Sequence, residues 1–242
     1  MSKAMKLSWL EYMKIMMRPG VYIGIMLATI FSVGGAYQAI HFPESFQMRH
    51  VYSFFSNISE LVIFIYTAKS LGDDFKFKTT IPLFTRGLSR TKVMVSKLLS
   101  LLYLSLTLAI VSCLIGLITS YIMPQEIDWF STWSELGRIC LAYLLYTFCV
   151  GSFGLLVTVF SFSMANTLIV CLVAFWLMSS LLKMVAQKLE GFRGVLPYIS
   201  FNTASEVIQF HTLNISEFIS MSGGGVLFLV LGLLFLNKRD LR

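Results

Sequence analysis

The chain has 242 residues, of which 57% are hydrophobic and only 13% charged, and its mean hydropathy is +0.78. Soluble domains carry about 25% charged residues, so this composition excludes an ordinary soluble domain and predicts an integral membrane protein. The net charge of +7 does not indicate nucleic-acid binding, because basic residues accumulate at the cytoplasmic ends of membrane spans.

The first predicted element, residues 1–20, is an amphipathic helix lying on the inner leaflet of the membrane. Apolar residues recur in it at helical spacing, with lysines between them, which is typical of interfacial helices. They include Leu7, Leu10, Met13 and Met17. Pro19 is expected to turn this helix into the first span, because proline disfavours a straight continuation. The alternative is that the segment only prolongs that span.

Six apolar runs are long enough to cross a bilayer, which takes roughly 20 residues. They cover residues 21–40, 51–71, 95–123, 138–160, 165–186 and 221–237. Basic flanking segments alternate with neutral or acidic ones, which predicts that both termini lie in the cytoplasm. We therefore expect an all-α membrane protein with a single transmembrane domain of residues 1–242.

Residues 203–219, before the last span, are predicted to form a short helix at the outer face. Thr203 and Glu206 have the spacing of a capping box, and apolar residues follow at helical spacing. This helix would either plug the outer mouth of the bundle or cover the ends of the spans.

The segment between the second and third spans concentrates charge, with seven basic and two acidic residues in residues 69–97. Gly72 is expected to end the helix of the second span. Asp73 can then cap a new helix, and Asp74 lies in its first turn, where negative charge is favourable. We predict an amphipathic helix over residues 73–84 at the inner membrane surface. It would rest on lipid headgroups or dock into a groove of a cytoplasmic partner.

This arrangement resembles the permease subunits of bacterial type 2 ABC exporters, in the small six-span class. The resemblance rests on the stretch LFTRGLSRTKVMVSKLLS after the second span, on the ending FLNKRDL, and on the N-terminal amphipathic helix, which matches the elbow helix of that family. Such permeases often carry a glutamate between the second and third spans, where this chain has Asp73 and Asp74 instead.

The resemblance implies that residues 73–84 are the coupling helix, held in a cleft of a separate ATP-binding subunit. Its apolar side chains would anchor in the cleft, and its lysines would pair with acidic groups on the rim. The implied coupling residues are Asp73, Asp74, Phe75, Lys76, Phe77, Lys78, Ile81 and Phe84. A second copy of the chain, or a sister permease, would complete the translocation pathway in the bacterial plasma membrane.

The chain itself is not expected to be an enzyme or to bind a cofactor. It has no G-x-x-x-x-G-K-[ST] phosphate-binding loop, so ATP and Mg²⁺ would belong to the partner subunit. The resemblance suggests amphipathic or antimicrobial peptides, of the phenol-soluble modulin or bacteriocin type, as substrates. Drugs, lipids and polysaccharides stay open as substrates.

Glu60 and Asn57 are the candidate residues of a substrate path, because ionisable and polar groups inside membrane spans are functional by default. Glu60 is expected near the outer half of the second span. The alternative is an interhelical polar contact, or a position shallow enough to be wet. The four cysteines lie inside apolar runs without metal-ligand spacing, so neither a metal site nor a disulfide is expected.

Two further functions compete with the exporter. One is an ATP-independent secondary transporter, although polar residues at mid-membrane are scarce for that class. The other is a membrane anchor subunit of a signalling complex. A membrane-embedded hydrolase is disfavoured, because no HExxH motif is present and none of the predicted spans contains histidine.

Overall fold

The computed structural model describes residues 3–42, 44–77, 89–122, 129–189, 194–211 and 213–238, without the side chains of residues 3–4 and 129–132. Most of these residues are helical, and no strand occurs among them. The α-helices are α1 (Lys3–Met16), α2 (Pro19–His41), α3 (Met48–Lys76), α4 (Arg90–Ile122), α5 (Trp129–Ser161), α6 (Met164–Leu172), α7 (Met178–Lys188), α8 (Ser200–Phe210) and α9 (Ile215–Lys238). A π-helical segment, Val173–Leu177, joins α6 to α7, and a 3₁₀ turn, Leu196–Tyr198, precedes α8.

Six of the helical segments are long and apolar enough to cross a membrane, which confirms the predicted number. They are α2, α3, α4, the Trp133–Ser161 part of α5, the continuous segment Met164–Lys188, and α9. The fold is therefore that of a multi-pass membrane protein.

The third and fifth helices form the centre of the bundle. In their most apolar windows 67% of the α3 residues and 72% of the α5 residues are buried, against 22–39% for the other four spans. Small residues allow the helices to approach closely. A side chain at Gly154 of α5 would collide with Thr67 of α3, and one at Gly232 of α9 would collide with Met94 of α4.

Helix α1 is separate from the first span, as predicted, and α2 starts at Pro19. Helix α1 packs along α4, where the Tyr12 hydroxyl lies 2.9 Å from Oγ1 of Thr107 and the rings of Trp9 and Tyr12 contact Tyr103. Its outward face is apolar, which suits contact with lipid. The exposed apolar residues of this face are Met5, Trp9, Leu10, Met13 and Met17.

The predicted end of the second span at Gly72 is wrong, because α3 continues to Lys76. Gly72 instead allows a close approach between α3 and the start of α6. A Cβ atom at Gly72 would lie 3.0 Å from the Cβ and 3.1 Å from the Cα of Met164. Asp73 and Asp74 consequently lie in the last turn of α3 and do not cap a new helix.

The prediction of one helix over residues 203–219 is also wrong. Helix α8 begins at Ser200 and ends at Phe210, and the capping residue His211 adopts a left-handed conformation with φ 53°. The residues from Ile215 onwards form the first turns of α9. The expected capping box at Thr203 is absent, and the reciprocal contact occurs at α9, where the backbone N–H of Asn214 donates to Glu217 Oε2 over 3.0 Å.

Helix α8 is inserted into the bundle and does not lie across the ends of the spans. Ala204, Val207 and Ile208 are fully buried. Phe201, in its first turn, contacts the rings of Phe175 and Phe228, which lie near the midpoints of their spans. The N-terminal end of α8 therefore reaches the middle of the bundle, where it can affect the neighbouring spans.

Candidate functional site

Six charged side chains at one end of the bundle form a set of ion pairs, named here the anchor network. Lys97 Nζ lies 2.7 Å from Glu11 Oε2 and 2.7 Å from Asp74 Oδ2. Lys14 Nζ lies 2.9 Å from Glu11 Oε1, and Arg18 Nη1 lies 2.8 Å from Asp73 Oδ2. The network comprises Glu11, Lys14, Arg18, Asp73, Asp74 and Lys97. It joins α1, the α1–α2 junction, the last turn of α3 and the start of α4.

Lys97 is the centre of this network. Its side chain is only 4% exposed, whereas its two carboxylate partners, Glu11 and Asp74, are 12% and 17% exposed. A buried ammonium is tolerated only where opposite charges compensate it. Burial alone would raise the pKa of Glu11, but the charge of Lys97 and the hydrogen bonds from Lys97 and Lys14 outweigh it and lower that pKa.

The anchor network lines a cavity of about 210 Å³. Tyr66, Lys69, Ser70 and Phe77 complete its wall, together with Ile15. The cavity therefore lies beside the C-terminal end of α3, where the charged segment begins.

The structure divides the predicted coupling residues into two groups. Asp73 and Asp74 face the bundle through their ion pairs, and the Phe75 ring packs edge-on against Phe162 with a centroid distance of 4.6 Å. Lys76 and Phe77 face outwards, with Phe77 67% exposed. Their contact with a partner stays a prediction.

The remaining predicted coupling residues, Lys78, Ile81 and Phe84, lie outside the described part of the chain. Three residues of the network were not predicted: Arg18 and Lys97, which pair with the two aspartates, and Glu11, the second acidic partner of Lys97. A signal existed for two of them. Glu11 is the only acidic residue before Glu44, and Lys97 immediately precedes 25 residues without charge, 98–122.

A second group of functional candidates lies in the middle of the bundle around Glu60. Its side chain is fully buried and stands two residues before the midpoint of α3. The hydroxyl of Tyr146 donates a hydrogen bond of 2.6 Å to Glu60 Oε1. The indole of Trp176 also approaches this carboxyl. Oε2 has no hydrogen-bond partner of standard geometry among the described residues.

Two aromatic side chains, Tyr146 and Trp176, contact this carboxyl, and two further rings, Phe64 and Phe175, pack against them. The Phe64 centroid lies 6.4 Å from Tyr146, 6.1 Å from Phe175 and 6.4 Å from Trp176. Phe64 follows Glu60 by four residues and so shares its helix face. We name Glu60 and these four rings the carboxyl site.

Trp176 separates the carboxyl site from the outside of the bundle, since its own side chain is 40% exposed. It belongs to the π-helical segment Val173–Leu177. Single π-helical turns inside α-helices occur frequently at functional sites. The carbonyl oxygen of Phe175, in the same segment, accepts a hydrogen bond of 3.2 Å from Ser205 Oγ of α8.

Asn57, the other predicted residue of the substrate path, lies one helical turn before Glu60 and connects two helices. Its Oδ1 accepts a hydrogen bond of 2.9 Å from Nε2 of Gln209 in α8. The hydrogen bond is an interhelical polar contact between α3 and α8.

No metal centre is formed by the residues that the structure describes, because no three His, Cys, Asp or Glu side chains among them are placed to share an ion. The cysteines Cys113, Cys140, Cys149 and Cys171 are free thiols.

The anchor network and the carboxyl site are connected through α3. Glu60 and Asp73 lie on this one helix, about 20 Å apart along its axis. Because a packed helix moves as a rigid element, a displacement of its last turn also displaces Glu60. The sequence matches no protein-family model, and it matches no curated protein at a significant level.

Proposed function

We propose that the chain is the membrane subunit of an ATP-driven exporter. It provides half of the translocation pathway, and a second copy or a sister chain provides the rest. ATP and Mg²⁺ are bound by a separate ATP-binding subunit in the cytoplasm. The anchor-network end of the bundle faces the cytoplasm, since basic residues such as Lys69, Lys76 and Arg90 cluster there.

The observation that carries this proposal is the attachment of the last turn of α3 to its neighbours. Asp73 holds Arg18 at the start of α2, and Asp74 holds Lys97 of α4, which also holds Glu11 of α1. Residues 78–88 continue directly from this fixed corner. A partner that grips the segment therefore pulls on four helices together, whereas an unattached loop would absorb the displacement.

Lys76 and Phe77 are the described residues best placed for contact with the partner. Phe77 exposes an apolar ring at a charged surface. The Lys76 ammonium lies 5.6 Å from the centroid of this ring. The pair offers an anchor for an apolar cleft and a charge for an acidic rim.

The transport cycle follows from linkage between the two subunits. ATP binding closes the ATP-binding subunits, and the gripped segments move with them. The bundle then changes from an inward-open to an outward-open state. ATP can drive this change only as far as its binding favours one state over the other.

A second function, that of an ATP-independent secondary transporter, is favoured by one observation. Glu60 is a fully buried carboxyl near mid-bundle, and such groups mark ion paths in secondary transporters. A requirement for an ATPase partner distinguishes this function from the exporter.

The test combines purification and mutation. A tagged chain is purified from its native membrane, and we expect an ATP-binding subunit and a second permease copy to accompany it. In the reconstituted complex, Phe77→Asp is expected to lower ATP-dependent transport about tenfold, because a charge replaces an apolar anchor. Insertion into the membrane should be unchanged.

The matched control is Trp133→Asp. Trp133 is an aromatic residue with 68% exposure, against 67% for Phe77, but it lies at the opposite end of the bundle. We expect this variant to retain coupling. Equal transport by wild type and Phe77→Asp, or purification without any ATPase, would remove the proposal.

A further inference from the structure

We propose that the carboxyl site binds the cationic group of an amphipathic substrate, with Glu60 as its counter-charge and the surrounding rings as its walls. This inference rests on the proposed function, since it places the site in the export pathway. It adds the chemical class of the substrate: an apolar molecule or peptide that carries an ammonium or a comparable organic cation.

The composition of the site favours a cation. An organic cation is attracted both by a carboxylate and by the faces of aromatic rings, and the combination recognises ammonium groups in other proteins. Phe64, Tyr146, Phe175 and Trp176 supply the rings. An anionic headgroup would meet the opposite arrangement, because an ionised Glu60 repels negative charge.

The described part of the chain provides no internal cation for this carboxyl. None of its ion pairs includes Glu60. Tyr146 occupies Oε1 only, and Oε2 keeps no standard hydrogen bond. A buried carboxyl without a counter-charge is costly to ionise. A bound organic cation would supply the missing charge.

Access to the site is expected through Trp176. Its indole is both the cover of the carboxyl and part of the exposed surface of the fifth span. The surrounding π-helical segment has a wider turn than an α-helix, and converting that turn to α-helix would rotate Trp176 away from Glu60. Ser205 of α8 holds the carbonyl of Phe175 in this segment, so movement of α8 and opening of the cover are coupled.

The experiment uses the full chain in nanodiscs of phosphatidylcholine. Dicyclohexylcarbodiimide enters membranes and modifies buried carboxyl groups, and mass spectrometry of the peptide that contains Glu60 measures the labelling rate. Tetraphenylphosphonium is the cationic probe. Tetraphenylborate, which has the same shape and the opposite charge, is its control. We expect saturating phosphonium to slow labelling about tenfold and the borate to leave the rate within about twofold of the unprotected value.

Two substitutions test the cover. Trp176→Ala is expected to raise the labelling rate of Glu60 about tenfold, because it opens the carboxyl to the outside of the bundle. Trp133→Ala, at an exposed tryptophan far from the site, should leave the rate unchanged.

Glu60→Gln must abolish labelling of this peptide and should weaken phosphonium binding about tenfold, measured by equilibrium dialysis.

Equal protection by both probes, or protection by neither, would overturn the cation site. A chain that transports with its ATPase but shows no phosphonium protection would refute this inference and leave the proposed function standing. If phosphonium protects Glu60 from labelling in a chain that binds no ATPase, the cation site is supported and the proposed exporter function is refuted.

Discussion

At the scale of the residue, Lys97 combines a buried position with two acidic partners. Its side chain is 4% exposed and reaches Glu11 on one side and Asp74 on the other. Both carboxylates are mostly buried, so this ammonium compensates each of them, together with the exposed Lys14 at Glu11. The ion pairs of Lys97 therefore attach α1 and α3 to α4. From the sequence alone, Lys97 is predicted only to be one of the basic residues that flank a span.

Replacing Lys97 by methionine is expected to destabilise the protein by about 3–5 kcal/mol, because Asp74 loses this counter-charge and Glu11 keeps only the exposed Lys14. Thermal unfolding in detergent, followed by tryptophan fluorescence, measures the loss. Lys14→Met is the matched control. Lys14 contacts the same Glu11 but is 66% exposed, so its removal should cost less than about 1 kcal/mol. Equal losses in the two variants would contradict the central role of Lys97.

His211 makes a pH-dependent contribution to stability. It caps α8, is 8% exposed, and packs against the rings of Tyr52 and Tyr143. Burial lowers its pKa to about 4, whereas an unfolded histidine has a pKa of about 6.5. The unfolded chain therefore binds the proton more readily between these values, and stability falls as the pH decreases from about 6.5 towards 4.

The change is expected to reach up to about 3 kcal/mol at the acidic end. Unfolding temperatures measured from pH 8 to pH 4 will show it. His211→Asn tolerates the left-handed backbone and removes the titrating ring, so the stability of wild type relative to the variant should rise by this amount between about pH 4 and about pH 6.5 and stay constant outside that range. A difference that is constant with pH would show that His211 does not titrate as inferred.

Some functional residues were predictable from the sequence, and their partners were not. Glu60 was predictable because a single acidic residue in an apolar run is conspicuous. Tyr146, its hydrogen-bond donor, lies 86 residues away, and nothing local distinguishes this tyrosine from other span residues. The same holds for Asp73, whose capping role was inferred from neighbours in sequence, whereas Arg18, 55 residues earlier, fixes its position.

At the scale of the element, α8 depends on a close approach to α9. A side chain at Gly224 would collide with Ser200, the first residue of α8. This contact places the Ser200 hydroxyl 2.8 Å from the carbonyl oxygen of Ser220, to which it donates. The absence of a side chain at Gly224 therefore leaves the room that α8 needs inside the bundle.

Gly224→Ala is expected to destabilise the protein by roughly 1–3 kcal/mol, because the added methyl group displaces α8. Gly223→Ala provides a control in the neighbouring position, where a Cβ atom meets nothing within 4 Å. That control should gain up to about 1 kcal/mol, since alanine is the better helix former. Thermal unfolding distinguishes the two, and similar shifts in both variants would argue against a tight α8–α9 contact.

The existence of the elements was more predictable than their ends. Six runs of about 20 apolar residues dictate six spans, since a bilayer sets their length. The two wrong boundaries have specific reasons. Gly72 serves a contact with Met164 and not a helix end, and Thr203 lies inside α8 with its hydroxyl 3.3 Å from the carbonyl of Ile199. Such contacts between distant segments cannot be recognised from local patterns.

At the scale of the whole molecule, the six spans place Lys76 and Trp133 at opposite ends of the bundle. In a variant without the four native cysteines, Lys76→Cys should react with a membrane-impermeant maleimide only after the cells are opened. Trp133→Cys should react in intact cells, because an odd number of spans separates the two positions. Labelling of Lys76→Cys from outside would reverse the orientation and remove the proposed function with it.

Arg90 fastens the end of the chain to the segment that follows the charged loop. Its Nη1 donates to the carbonyl oxygen of Leu236 over 2.7 Å and approaches that of Asn237 at 3.3 Å, both in the last turn of α9. If the proposed ATP-binding subunit displaces residues 78–88, the displacement should therefore reach the last turn of α9 as well as α3. A fluorophore attached at Lys238, paired with one on that subunit, would then report the proposed transport cycle by a change in energy transfer.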